Sequence, residues 1–148
     1  MIIAIGSDHA GFEYKEIIRE HLTSMSHEVQ DLGTNSTERC DYPDFAEKVA
    51  KAVVSGKAGL GILVCGTGIG MSISANKVRG CRAALVSDSL TARLSREHND
   101  ANVLCLGSRI IGIETAKDAV NAFIKSGFAG DRHQLRLNKI KELEDGKN

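Results

Sequence analysis

Four places in the 148 residues combine side chains able to move protons or hold anions. The first is Gly6-Ser7-Asp8-His9-Ala10-Gly11, with a carboxylate beside an imidazole. Asp8 alone reads equally well as the cap of a following helix, because its short side chain can accept from the first free N–H groups. His9 adds weight to a site, since an imidazolium near a helix N-terminus favours an anion. The second place is Cys65-Gly66-Thr67-Gly68-Ile69-Gly70. Glycines at alternate positions let backbone N–H groups converge on a ligand at the positive end of a helix dipole. Thiols in such surroundings ionise more readily than an ordinary cysteine, which makes Cys65 the candidate base or nucleophile. Free cysteines are often just small buried hydrophobes, and that role suits Cys81 and Cys105. Cys40, in a polar loop, reads as incidental.

The third place is the polar stretch Ser95-Arg96-Glu97-His98-Asn99-Asp100-Ala101-Asn102. Cations are stabilised at helix C-termini, so His98 can carry a proton as a general acid. Asn99 or Asn102 reads alternatively as a helix C-cap, and His98 gains its weight from company. The fourth place lies between Arg132 and Lys141, which holds four basic residues and no acidic one. Arg132 and Arg136, one turn apart, form a fork suited to a phosphate dianion. A basic run is more usually a solvated face, but Leu135, Leu137, Ile140 and Leu143 show that this helix also packs, on its own chain or on a partner.

Several better-known anion sites do not fit. The dinucleotide fingerprint needs Gly or Ala three residues after its second Gly, where Met71 stands, although Asp88 lies twenty residues past Gly68 as a tempting ribose ligand. The phosphate loop ending in Gly-Lys-Ser/Thr is missing, and Met71 also occupies the arginine position of a Cys-x5-Arg phosphatase. A nucleotide-binding module and a cysteine hydrolase are therefore the weaker rivals. No metal-ligand spacing is seen, so neither metal nor cofactor is expected.

The elements that must position these residues follow from apolar periodicity. Runs at Ile2–Ile5, Val29–Leu32 (the weakest), Gly61–Val64, Ala83–Val86 and Val103–Leu106 suit strands buried on both faces of a parallel sheet. Between them, Phe45, Val49, Ala52 and Val53, and again Ala116, Val120, Phe123 and Ile124, follow helical spacing. Pro43 fits the first turn of its helix with Asp41 or Tyr42 at the cap. Met71–Lys77 reads as another helix, and a last one runs from about Arg132 to Leu143. The alternation predicts one α/β domain over residues 1–148, a three-layer α/β/α sandwich around a Rossmann-like, five-stranded parallel sheet. In such sheets ligands bind beyond the carboxyl ends of the strands.

Composition narrows the partners. Lys plus Arg is 19 and Asp plus Glu is 19, so the basic excess of a nucleic-acid or membrane-surface binder is missing. No apolar run approaches the ~20 residues that span a bilayer, and the first residues lack the basic start of a signal peptide. The four cysteines lie 25, 16 and 24 residues apart, without a CxxC pair, as expected of free thiols in a reducing compartment. The cytoplasm is the expected location.

Taken in order, Gly6-Ser7-Asp8-His9, Asp41-Tyr42-Pro43, Cys65 to Gly70, Ser74-Ala75-Asn76-Lys77, Ser95 to Asn102, Gly107-Ser108-Arg109 and the Arg132/Arg136 pair closely resemble type B ribose-5-phosphate isomerases. That family also contains allose-6-phosphate and galactose-6-phosphate isomerases, which remain the alternative within the class. The resemblance implies a sugar-phosphate substrate in the pentose phosphate pathway. It also implies a homodimer with sites at the interface, and leaves pairing into tetramers open. His98, Asn99 and Arg109 would reach the partner's Cys65 loop. By the same carry-over, Cys65 moves a proton between C1 and C2, and the N–H groups of Gly66, Thr67, Gly68, Ile69 and Gly70 hold the enediolate oxygens. His98 opens the furanose ring with help from Asp8, Tyr42 lines the site, and His9, Arg132 and Arg136 bind phosphate with Arg109 lending charge. Some relatives use a glutamate on the loop after the cysteine; Met71 occupies the matching position here, which leaves Cys65 as the base.

Overall fold

Short runs of aliphatic residues ending in Ser, Asp, Cys or Gly form five strands: β1 (Ile2–Ser7), β2 (Glu28–Asp31), β3 (Leu60–Cys65), β4 (Ala83–Leu85) and β5 (Val103–Gly107). The structure is a computed structural model and describes residues 1–146. Helices α1 (Phe12–Ser24), α2 (Tyr42–Val54), α3 (Ile69–Ala75) and α4 (Ser89–Asn99) connect the strands, and α5 (Ile113–Lys125) and α6 (Arg132–Glu144) follow β5. The sheet is wholly parallel in the order β2-β1-β3-β5-β4.

Every residue of β3 and β5 is buried, which is why those segments read as unbroken apolar runs. Successive side chains alternate between two cores. Ile3, Ile5, Ile62, Val64, Leu104 and Leu106 pack with Ile18 and Leu22 of α1 and with Val120 and Phe123 of α5. Ala4, Leu63, Val103 and Cys105 pack instead with Val49 and Val53 of α2 and Met71 of α3. Burying a side chain the size of Phe123 contributes roughly 1.5–3 kcal/mol, so the central strands are the fixed reference for everything attached to their ends. The weakly patterned β2 and the three-residue β4 lie at the edges.

The local signals mostly hold. Asp41 is the cap position of α2 and Pro43 stands in its first turn, where the missing N–H costs nothing. Helix α3 begins at Ile69, two residues before the expected Met71, because Gly68 turns the chain at φ 78° straight into the helix. It stops at Ala75, where the Asn76 side chain donates to the carbonyls of Ser72 and Ala83. The last helix differs more. His133 is the buried residue of α6, while Leu135 and Leu143 are each 67% exposed and Ile140 is also exposed. Three of the four apolar side chains expected to pack are thus left uncovered by their own chain, while Leu137 is half-buried.

Candidate active site

From β1 the chain leaves through α1 to β2 on one side, whereas β3 lies on the other side. Helices α1 and α2 cover opposite faces. Such a topological switch leaves a crevice beyond the strand ends. Here it is a cleft of about 420 Å³, lined by Asp8, His9, Tyr42, Cys65, Gly66, Thr67, Ile69, Gly70 and Arg109. A larger groove of about 590 Å³ runs beside β4 and α6 past Asn99, Arg82 and Ile140. Size does not make it the reaction centre, because the thiol, carboxylate and imidazole converge on the smaller cleft.

Each cleft residue is held by backbone geometry. Asp8 Oδ1 accepts from the N–H groups of Ala10 and Gly11 at 3.0 and 3.1 Å. It therefore closes the turn after β1, and Gly11 takes the cap position of α1. His9 Nδ1 lies 3.2 Å from the Cys40 carbonyl and 3.3 Å from the Cys40 N, so the loop before α2 orients the ring. Cys65 ends β3, is 4% exposed, and its Sγ accepts from the Gly68 N–H at 3.1 Å. Gly68 needs its left-handed φ, and an added Cβ would stand 2.9 Å from the Leu106 backbone. At Gly70 a Cβ would come within 2.5 Å of the Tyr42 ring, so glycine is what lets the ring close over the loop. In the two thiols read as core, burial pushes Cys81 up to about 12 and Cys105 well above its ordinary value. Neither supplies thiolate at neutral pH.

Arg109 departs from expectation. Its N–H donates to the Gly66 carbonyl at 2.9 Å and its guanidinium packs on Gly66 of the same chain. The cause is register: β5 pairs with β3 so that Gly107 sits opposite Cys65, which delivers Arg109 to its own cleft. Met71 is likewise not on a loop. It is fully buried in α3, facing the core under α2. Asp88, the would-be ribose ligand, caps α4 by accepting from the Thr91 N–H at 2.7 Å, and that hydrogen bond holds its carboxyl below the usual range.

The remaining expected residues lie elsewhere. His98 and Asn99 end α4, which feeds β5 at Val103, opposite Gly61 at the start of β3. Four residue steps at ~3.3 Å each put that end about 13 Å down the sheet from Cys65. Asp100, at φ 44°, turns the chain there as the C-cap, locked by Arg82 and Arg96 at 2.8 Å each. The Asn102 side chain receives the Arg82 N–H and donates to Gly80. Ala129 donates to the Glu97 carbonyl, bringing the start of α6, with Arg132 and Arg136, beside His98. The structure thus forms two groups of candidate residues and does not bring them together within one chain.

Residues 3–140 match the family described as Ribose/Galactose Isomerase. The chain belongs to that family. Among its relatives, ribose-5-phosphate isomerase B of Escherichia coli is 49% identical over 146 residues, covering 99% of this chain and 98% of the relative. A ribose-5-phosphate isomerase B structure from Clostridium thermocellum superposes with TM-score 0.98 at 51% identity, covering all of both chains. A Mycoplasma genitalium ribose-5-phosphate isomerase B structure with bound ribulose-5-phosphate superposes with TM-score 0.92 at 47% identity, over 97% of this chain and 96% of that one.

Two residues that contact these two groups were not singled out as candidates by sequence reasoning. Ser108 Oγ donates to the Ala10 carbonyl at 2.8 Å and reaches the Cys65 carbonyl at 3.2 Å, tying the loops after β1, β3 and β5 together. Its place directly after a strand was the available signal. His133 stacks on His98, with ring centroids 4.3 Å apart and planes 9° from parallel. Burial, then the positive charge of His98, Arg132 and Arg136, hold it below the ordinary imidazole value. A histidine inside a basic helix gives no periodic signal of its own.

Proposed function

We propose that this chain is an aldose–ketose isomerase interconverting D-ribose 5-phosphate and D-ribulose 5-phosphate through an enediolate, as in the non-oxidative pentose phosphate pathway. The observation that carries this is Cys65 Sγ in the cleft at the foot of the Gly66–Gly70 loop, in a chain of the ribose/galactose isomerase family. The sulfur, as thiolate, takes the proton from C2 of the open aldose. The C2–H electron pair becomes the C1=C2 bond as the carbonyl pair moves onto the C1 oxygen, the hydroxyl proton passes from the C2 oxygen to the C1 oxygen, and the thiol returns its proton to C1 as the C2 oxygen becomes the ketone. Loop N–H groups that reach those oxygens would lower the barrier by binding the charged intermediate more tightly than the sugar, while the Gly68 N–H is held by Cys65 Sγ. Asp8 and His9 stand across the cleft to handle hydroxyl and phosphoryl groups.

We further infer that a second copy completes the site. The single chain leaves His98, Asn99, Arg132 and Arg136 at the far end of its sheet, and the exposed Leu135, Ile140 and Leu143 offer apolar area for association. In a two-fold dimer the partner's His98 would protonate the ring oxygen to open the furanose, with the arginine fork on the phosphate. The reducing cytoplasm suits a reaction that needs a free thiol, and among the described residues no helix is long and apolar enough to cross a membrane.

The test is the isomerisation rate on ribose 5-phosphate beside allose 6-phosphate and galactose 6-phosphate, in EDTA, with Cys65→Ala as control. A Cys65-dependent preference for the pentose supports the proposal. Preference for a hexose phosphate keeps the mechanism and changes the substrate, and no turnover on any of the three overturns it.

A further inference from the structure

Parallel imidazoles 4.3 Å apart cannot both be charged without repulsion, and here the stack is flanked by two guanidinium groups. We propose that His133 is the positioning residue for His98, and that the stacked pair carries a single proton, on His98, when a phosphoryl dianion occupies Arg132 and Arg136. This rests on the assignment of His98 as the ring-opening acid.

The geometry supplies each part. His133 is 7% exposed, the one buried side chain of α6, so it is a fixed platform rather than a solvated cation. Its backbone N–H donates to the Gly130 carbonyl, and its Nδ1 lies 3.5 Å from Arg136 Nη1. A guanidinium offers only hydrogen-bond donors, so Nδ1 facing it is the unprotonated, accepting nitrogen. The other charges around the stack are few. Asp131 precedes α6, Arg132 and Arg136 share its helix, and from α4 come His98 itself and the Arg93–Glu97 pair, whose charges largely satisfy each other. Without an anion, burial and the cationic surroundings disfavour a proton on His133. A dianion on the arginine fork reverses the local field, and the pair takes a proton from solvent. Because His133 is boxed in by Arg136, the proton settles on His98, the ring that can deliver it to a sugar oxygen. The acid is thereby charged by the group that marks the substrate.

The experiment follows the His98 and His133 ring carbons by NMR through a pH titration of the full chain, with and without inorganic phosphate. The expected result is a coupled titration in which one proton enters first, the second only at much lower pH, and phosphate raises the first midpoint by about one pH unit. Arg136→Gln should abolish the phosphate-induced movement. His133→Phe should retain a stacked ring and turn the His98 curve into a single-site one. His133→Ala should lower kcat on cyclic ribose 5-phosphate roughly tenfold, with KM and the rate on an open-chain analogue little changed. Independent single-site curves for both rings, or a midpoint unmoved by phosphate, overturn the proposal. Since the titrations need no turnover, they remain decisive even if ribose 5-phosphate is not isomerised, a failure that would instead remove the function proposed above.

Discussion

The Cys65 cleft and the cationic patch around His98 are built by different means. Cleft residues hang directly from buried strands: Asp8 follows β1, Cys65 ends β3, and Arg109 follows β5, with Ser108 joining the three loops. The patch is made from helix ends. Its position depends on the Arg82–Asp100–Arg96 cluster and on α6, which contributes one buried side chain. Sheet ends give fixed geometry before any ligand or partner arrives, as bond making at carbon requires. A helix-end patch of the kind proposed here, meant to recognise charge and meet a second copy, would tolerate looser anchoring and gain definition once covered.

The largest effect that can break this division is on the cleft. Cys65→Ala should reduce isomerisation by roughly 10³-fold while inorganic phosphate still binds; a rate near that of the unaltered protein would remove Cys65 as the base. The next sharpens where the two regions meet. Mixing Cys65→Ala chains with His98→Asn chains should restore about a quarter of full activity, since half the dimers are mixed and each holds one intact site. No recovery would mean that cleft and patch of the same chain work together. On the patch, Arg136→Gln should raise KM about tenfold, with kcat nearly held on an open-chain analogue that needs no ring opening, because phosphate binding is shared by ground and transition states. An unchanged KM would take Arg136 out of the anion site.

Smaller effects probe stability. Gly68→Ala should cost about 1–3 kcal/mol in denaturant unfolding, from left-handed backbone strain together with crowding against Leu106. For the patch, the depressed value of His133 means that near pH 6.5 and just below it the unfolded chain binds a proton that the folded chain does not. Stability should therefore fall as pH drops through that window and level off above it. The slope should flatten in His133→Phe, and an identical slope in both proteins would show that another group is responsible.

Legibility in the sequence followed the same division. Strand-end chemistry could be read directly, because parallel strands show as apolar runs and open α/β sheets place ligands where the runs stop. Asp8, His9, Cys65 and the glycine loop were found on that ground. Arg109 went to the wrong chain, since a motif identifies a side chain without the strand pairing that says whose cleft it enters. Asp88 resembled a ribose ligand by spacing alone, yet its carboxylate is used by Thr91 at the start of α4. His133 escaped notice because burial of a histidine within a basic run depends on what α4 presents to it.

By itself the sequence determined the alternation of strands and helices, the two-sided burial of the sheet, and the residue types capable of the chemistry. These are local properties, set by side-chain period, turn preference and ionisable groups. Only the tertiary structure decided which of those residues share a cleft, that Arg109 folds back on Gly66, that His98 stacks on His133, and that the two groups lie at opposite ends of the sheet. Those are long-range relations, fixed by strand order and register.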